Sequence, residues 1–333
     1  MSPAAVPVTF LHILHEFPKT GIKGSKMNVQ IICKECSGGS GMEYALHNQK
    51  LTINIDSLGG EMKGILSSKG SEFLWNGNPD FWDGHSPNLF PFVGRLTEGR
   101  YTFEGREYHM GIHGFLMSQQ MTGDESSKTR LVLSLRENQQ TLAEYPFAFT
   151  FRIIYELKDD TLSISYEVSN TGDKPLYFGL GGHPGFHVPL ESGLRFEDFY
   201  LEFNSVENVQ AVVLTEDCFV TEKRVPFPLQ NERILKLKHS LFDNDAIVLT
   251  RMSTAVTLKS SRSHRRIRVE YPQMPYLGLW HMPRTTAPYL CIEPWLSLPS
   301  EAGTVTALET EADLIKLLSG KTYTNTWSIT CRE

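Results

Sequence analysis

The sequence predicts an all-β protein, and three observations carry that prediction. Apolar and polar residues alternate with a period of two in short runs along most of the chain. Glycine, proline and asparagine punctuate those runs. No long stretch has the 3.6-residue periodicity of an amphipathic helix. Leu51-Thr52-Ile53-Asn54-Ile55 is the first clear alternating run, and Thr161-Leu162-Ser163-Ile164-Ser165-Tyr166-Glu167-Val168 is the longest. Runs over 130–135, 149–157, 255–259, 267–271 and 323–329 behave alike, and each is rich in the β-branched and aromatic residues that suit a pleated surface. Glu104-Gly105-Arg106 and Asn170-Thr171-Gly172-Asp173 are turn signals between such runs. Only residues 313–318 read as a short turn of helix. Many short strands with this punctuation imply a sandwich or a barrel. No repeat with a period of roughly 20–50 residues is apparent, which excludes a propeller or solenoid.

The chain has 333 residues, of which 40% are hydrophobic and 21% charged, an ordinary globular composition. Its length alone would allow two domains, but all-β architectures often exceed about 200 residues as one unit. Residues 1–41 differ from the rest: they lack sustained periodicity and end in Ser37-Gly38-Gly39-Ser40-Gly41, a flexible-linker composition. We expect them to be a disordered N-terminal extension, or translated sequence upstream of a start at Met42, with 42–333 as a single β domain. A net charge of −6 argues against nucleic acid as a partner. The basic cluster Arg262, His264, Arg265, Arg266 and Arg268 runs into a strand-like segment and reads as a solvated strand end.

Five scattered cysteines give no disulfide framework and read as reduced thiols. Cys33 and Cys36 form a C-x-x-C pair, but no second pair completes a zinc site, and no βαβ unit surrounds them as a redox motif requires. No window approaches the roughly 18 apolar residues of a membrane span. A signal peptide is not recognisable, because the apolar run 8–14 contains His12 and follows no basic residue. The expectation is a cytoplasmic protein, with no membrane partner, as a monomer or homodimer.

Four polar positions stand out because glycine, proline or aromatic residues flank them. His183 sits in Gly181-Gly182-His183-Pro184-Gly185-Phe186-His187, where no helix can form. Arg95 follows Asn88-Leu89-Phe90-Pro91-Phe92-Val93-Gly94, and His113 lies between Ile112 and Gly114-Phe115. Glu293 is a carboxylate inside the apolar run Cys291-Ile292-Glu293-Pro294-Trp295. Singly each has a bland reading: a glycine-flanked histidine is commonly a satisfied turn residue, and Glu293 could be a buried salt-bridge partner. Together they place an acid, a base and a guanidinium on one β scaffold. Ionisable groups in apolar settings have shifted pKa values and tend to mark active sites.

Other chemistries fit less well. His183 and His187 have an i, i+4 spacing, but Pro184 and Gly185 prevent the helix that would put both on one face, and no H-E-x-x-H motif exists. No metal is therefore expected. Nucleophilic catalysis lacks a G-x-S-x-G motif, and Glu293 two residues from Cys291 disfavours a thiolate. Gly179-Leu180-Gly181 lacks the third glycine of a dinucleotide fingerprint. Glu293 could act with Asp243 or Asp245 as a glycosidase pair, but that leaves His183 and His113 without a task.

Several blocks resemble the aldose 1-epimerase (galactose mutarotase) superfamily, most closely its LacX-like branch. They are Phe73-Leu74-Trp75-Asn76-Gly77, Leu89-Phe90-Pro91-Phe92-Val93-Gly94-Arg95-Leu96, His113-Gly114-Phe115, Gly182-His183-Pro184, Leu241-Phe242-Asp243-Asn244-Asp245 and Ile292-Glu293-Pro294-Trp295. The resemblance runs from Met42 nearly to the C-terminus. It implies a large antiparallel β-supersandwich that binds sugar on a concave face. It also implies Glu293 as general base and His183 as general acid, with Arg95, His113 and Asp245 binding substrate; Asp243 fits nearly as well as Asp245. Two blocks depart from mutarotases proper: Val93-Gly94-Arg95-Leu96 stands where those have Ala-Asn-Arg-Ile, and Phe115 replaces a second glycine.

The implied reaction interconverts α and β anomers by ring opening, which removes a proton from the anomeric hydroxyl and delivers one to the ring oxygen. A carboxylate and a protonated imidazole do both, each contributing roughly 10²–10⁴-fold. No cofactor is needed, since no electrons move. Trp280 could cover an apolar sugar face or simply pack. Alternatives that remain are a non-catalytic carbohydrate sensor on the same fold and a hexose-6-phosphate 1-epimerase using Arg284 or Arg100 at the phosphate.

Overall fold

The computed structural model describes residues 41–204 and 208–333. The expected extension over residues 1–41 lies, but for Gly41, outside them, as do Cys33 and Cys36.

Each alternating run becomes a strand whose apolar face meets the same core. Leu51–Asp56, Arg130–Arg136, Phe149–Lys158, Thr161–Asn170, Ala255–Ser260, Arg266–Glu270 and Thr322–Arg332 match the expected runs to within a few residues at each end. Among the described residues a nine-stranded antiparallel sheet takes the order Ile234–Lys236, Phe199–Phe203, Ala255–Ser260, Arg266–Glu270, Thr322–Arg332, Thr161–Asn170, Phe149–Lys158, Arg130–Arg136, Thr122–Ser126. An eight-stranded sheet runs Val220–Pro226, Gln210–Leu214, Ile247–Thr250, Tyr276–Trp280, Tyr289–Trp295, Gly181–Gly182, Asn88–Leu89, and Gly185–His187 also pairs with Tyr289–Trp295.

The main core lies between these sheets. Ile164, Tyr166, Leu258, Val269 and Ile329 from the larger sheet and Leu249, Leu277, Leu279, Leu290 and Ile292 from the smaller belong to one buried cluster. At about 1.5–3 kcal/mol per fully buried aliphatic side chain, this interface supplies most of the driving force. The architecture is the large antiparallel β-sandwich expected.

Residues 313–318, expected as a turn of helix, instead contain strand Ile315–Leu317, which pairs antiparallel with Leu176–Phe178. The pairing partner lies far away in sequence, so a local pattern could not reveal it, and tertiary pairing overrides the local preference. The α-helix among the described residues is Gln139–Glu144, begun by a capping box between Asn138 and Thr141. Its one buried residue, Thr141, leaves no apolar stripe to recognise. Three members of the basic cluster have acidic partners: Arg262 meets Asp198 at 3.0 Å, Arg265 lies near Glu191 and Glu333, and Arg268 meets Glu270 at 2.9 Å.

The pleat of Tyr289–Trp295 decides what reaches the opposite face of the smaller sheet. Leu290 and Ile292 enter the main core, so Tyr289, Cys291, Glu293 and Trp295 point the other way. Gly278 stands directly opposite Glu293 in the neighbouring strand. A side chain there is impossible without rearrangement, because a Cβ would sit 2.7 Å from the Trp295 ring. Gly182 has the same explanation: its missing Cβ would lie 2.4 Å from Trp327. The glycine before His183 therefore serves close packing of the two sheets.

Candidate active site

A cleft of about 320 Å³ opens on that face of the smaller sheet, and Arg95, His113, His183, Asp245 and Glu293 all line it. Trp82, Ile112, Met117, Leu214, Cys218, Trp280 and Trp295 complete most of its wall. A smaller cavity of about 260 Å³ shares Pro299 with it, but its charged lining is Glu222, Glu301, Glu311 and Asp313 with Arg224, and it contains no histidine. The acid–base candidates are in the first cleft only.

His183 and Glu293 come from adjacent segments of the sheet. Gly181 pairs with Trp295, and the chain then turns so that the His183 N–H donates to the Pro87 carbonyl at 2.9 Å. The imidazole Nε2 lies 3.2 Å from Glu293 Oε2, with His183 9% and Glu293 1% exposed. This is a close contact without an aligned hydrogen bond, and both Glu293 Oε2 and His183 Nδ1 have no hydrogen-bond partner. Such loose geometry is common in sites that tighten on binding.

Burial sets the protonation of the pair. It pushes the Glu293 carboxyl well above the usual carboxylate range, Asp245 adds to the rise, and the nearby Trp295 indole N–H opposes it. Burial and the neighbouring His113 push His183 down to about 3. Both shifts oppose charge, so desolvation favours the arrangement in which a proton held by the pair sits on Glu293 and neither group is charged.

His113 is held by its backbone. With φ of 64° it occupies the left-handed region, and Gly114 follows at 79°. A Cβ on Gly114 would fall 2.2 Å from the Phe90 carbonyl oxygen, so that position requires glycine. The His113 N–H donates to Gly94 O at 2.8 Å, and the Gly94 N–H donates back to His113 Nδ1 at 3.0 Å. Because Nδ1 accepts, the proton of the neutral ring belongs on Nε2. Burial and the charge of Arg95 hold this histidine down at about 4, so it is a neutral N–H donor. Its ring meets His183 edge to face at 5.5 Å.

Asp245 and not Asp243 reaches the cleft. Asp243 ends the short 3₁₀ turn His239–Phe242 and is exposed, whereas Asp245 takes φ of 75° and anchors itself by accepting from the Ala246 N–H at 2.8 Å. Cys218 beside it has its thiol pushed up to about 11 by burial and the Asp245 carboxylate. Trp280 does line the cleft, 5.8 Å from His183. Trp82, which sequence reasoning missed, lies over His183 at 5.0 Å with ring planes 31° apart and meets Trp280 edge to face. Its signal was faint: Phe81-Trp82-Asp83-Gly84 shows only an aromatic pair before a turn residue. His187 stays outside the cleft lining and packs against Trp75.

Comparison with known proteins defines the class. Residues 42–330 match the model of the aldose 1-epimerase family, and the chain belongs to that family. A chromosomally encoded LacX protein of Lactococcus lactis is 32% identical over 298 residues, covering 87% of this chain and 99% of LacX. The crystal structure of a galactose mutarotase related enzyme from Lactobacillus acidophilus superposes with a TM-score of 0.83 at 30% identity, covering 88% of this chain and 98% of that one. A galactose mutarotase-like protein from Lactobacillus casei gives the same TM-score at 26% identity, covering 87% and 100%.

Proposed function

We propose that this protein is an aldose 1-epimerase that interconverts the anomers of an unphosphorylated hexose or related sugar. The observation that carries the reading is the buried His183–Glu293 contact of 3.2 Å, set in a cleft with Arg95, His113 and Asp245 around it.

Ring opening starts with the shared proton on His183. Glu293 takes the proton of the anomeric hydroxyl while His183 gives its proton to the ring oxygen, and the C1–O5 bond breaks. That step leaves Glu293 protonated and His183 neutral, the charge-free pair that burial favours. Desolvation thus assists the uphill half of the reaction. After rotation about C1–C2 the same groups reverse roles and the ring closes from the other face. Neutral His113 offers its Nε2–H, Arg95 its guanidinium N–H groups, and Asp245 an acceptor to the hydroxyls. Trp82 and Trp280 present aromatic faces to the C–H surface of the sugar.

The charge around the cleft bears on the substrate. Arg95 is the only Lys or Arg among the described residues lining it, against Asp245 and Glu293. Arg284 and Arg100 are not in its lining, and Arg100 is engaged by Glu98 and Glu107. With the His183–Glu293 pair carrying no net charge and Asp245 offsetting Arg95, a phosphate dianion would meet no surplus of positive charge, which favours a neutral sugar over a hexose 6-phosphate. A pure sensor has no use for an acid–base pair at this distance. Polarimetry on freshly dissolved α-anomers of free and 6-phosphorylated aldoses tests the reading. Acceleration confined to the phosphorylated sugars would overturn the substrate assignment, and saturable binding without acceleration would support the sensor instead.

A further inference from the structure

Cys291 is a fully buried thiol that the proposed sugar chemistry does not use. It shares a strand face with Glu293, two residues on, and Gly185 of the His183 turn stands opposite it in the sheet. A ligand atom of each of His183, Cys291 and Glu293 lies within 4.8 Å of the others. Burying a thiol among Trp75, Ala287 and Tyr289 is ordinary core packing by itself. What sets this thiol apart is its neighbour, a carboxylate oxygen that is buried and has no hydrogen-bond partner.

We propose that His183, Cys291 and Glu293 form a binding site for a thiophilic divalent cation of the Zn²⁺ and Cd²⁺ class, and that such an ion shuts off the acid–base pair by coordinating it. Nitrogen, sulfur and a carboxylate oxygen are a zinc-type donor set, and three protein ligands with a fourth position open to a cleft are the usual pattern of an accessible zinc centre. Donors about 2.0–2.3 Å from a tetrahedral ion are roughly 3.3–3.8 Å apart. The His183–Glu293 contact is already 3.2 Å, so side-chain rotation of Cys291 and Glu293 by about 1 Å closes the set. Hard cations such as Mg²⁺ are disfavoured, since one oxygen ligand cannot satisfy them.

Charge balance favours the ion as well. Coordination forms three metal–ligand bonds and displaces water from the ion. The thiol proton and the one proton shared by His183 and Glu293 leave to solvent. A thiolate, a carboxylate and a neutral imidazole then cancel a 2+ charge, so the buried cluster stays neutral before and after binding. No oxidation or reduction takes place. With both proton-transfer groups coordinated, neither can serve the sugar.

Metal capture stands on geometry alone, whereas the shut-off rests on the function proposed above, so the two are read separately. The full chain carrying Cys33→Ser and Cys36→Ser, which removes the C-x-x-C pair as a competitor, is titrated with Cd²⁺. Sulfur-to-cadmium charge-transfer absorption reports thiolate ligation. One equivalent is expected to bind. Cys291→Ser, Cys291→Ala and Glu293→Gln should each weaken it by more than the roughly 10–100-fold that loss of an outer-shell partner costs, with folding checked by far-ultraviolet circular dichroism. Absence of the band, or a band that survives both Cys291 variants because Cys218 or Cys331 supplies it, overturns the site. Zn²⁺ should also abolish anomer exchange, with recovery on chelation. Tight Cd²⁺ binding without loss of exchange would overturn the shut-off, and a protein that exchanges no sugar at all would overturn the function while leaving the cadmium result to decide the site.

Discussion

Glu293→Gln separates the two demands placed on that side chain. Glutamine keeps the volume and removes the ionisation, so anomer exchange should fall by roughly 10²–10⁴-fold. Stability should move the other way. Glu293 is 1% exposed and its carboxyl titrates well above the usual 4.5. The folded state therefore holds a proton that the unfolded chain releases as pH rises past about 4.5. Stability falls with rising pH over that interval, by about 1.4 kcal/mol per pH unit, until the folded carboxyl itself ionises. The amide removes this slope, and Glu293 Oε2 has no hydrogen-bond partner to lose. Wild type and variant should be about equally stable at pH 4, with the variant ahead at pH 7 by at least ~1 kcal/mol, or about 1.5 °C or more in Tm for a domain of this size. His183 adds an opposite trend, because its depressed value gives stability that is present above its unfolded pKa of 6.5 and lost as pH falls toward about 3. That trend is largely common to both proteins. Denaturant titrations at the two pH values and polarimetry at pH 7 give the readout. A variant less stable than wild type at pH 7, or one that equilibrates sugars at the wild-type rate, would refute the assignment of a buried, proton-holding base.

Three further outcomes follow from the geometry. Because burial holds His183 and His113 neutral down to about 3 and 4, the acid limb of kcat/KM should lie below about pH 5, and a limb centred at 6.5 in a pH–rate profile would contradict that. Asp245→Asn should raise KM by about tenfold or more, the cost of a charge-assisted hydrogen bond, while Asp243→Asn leaves steady-state kinetics unchanged. Gly182→Ala should lose about 1–3 kcal/mol in equilibrium unfolding, since its Cβ would lie 2.4 Å from Trp327. Wild-type stability in that variant would mean that the two sheets can part there at no cost.

How much could be read in advance differs between strands and site. The period-two runs marked seven strands because each buries one face, and that requirement is local to the run. The pairing Leu176–Phe178 with Ile315–Leu317 was illegible, because its reason is the partner and not the pattern. Among site residues, His183, His113, Arg95 and Glu293 were visible as polar groups in glycine-rich or apolar settings. Asp243 and Asp245 looked alike until the left-handed turn at Asp245 aimed only the second into the cleft. Trp82 and Cys218 gave almost no signal, since an aromatic or a thiol in a loop becomes part of a wall only when distant strands bring the other walls to it.

From its sequence alone, then, this chain specified an all-β sandwich of the aldose 1-epimerase kind and the residue types for an acid–base reaction. Alternating burial and family motifs are properties of contiguous residues, so they survive in one dimension. Only the tertiary structure decided that His183 and Glu293 meet at 3.2 Å in a buried setting that opposes charge on both, that His113 presents Nε2–H, and that Cys291 stands within ligand distance of both catalytic candidates. Those outcomes depend on desolvation and on angstrom-scale distances between strands, which no local pattern encodes.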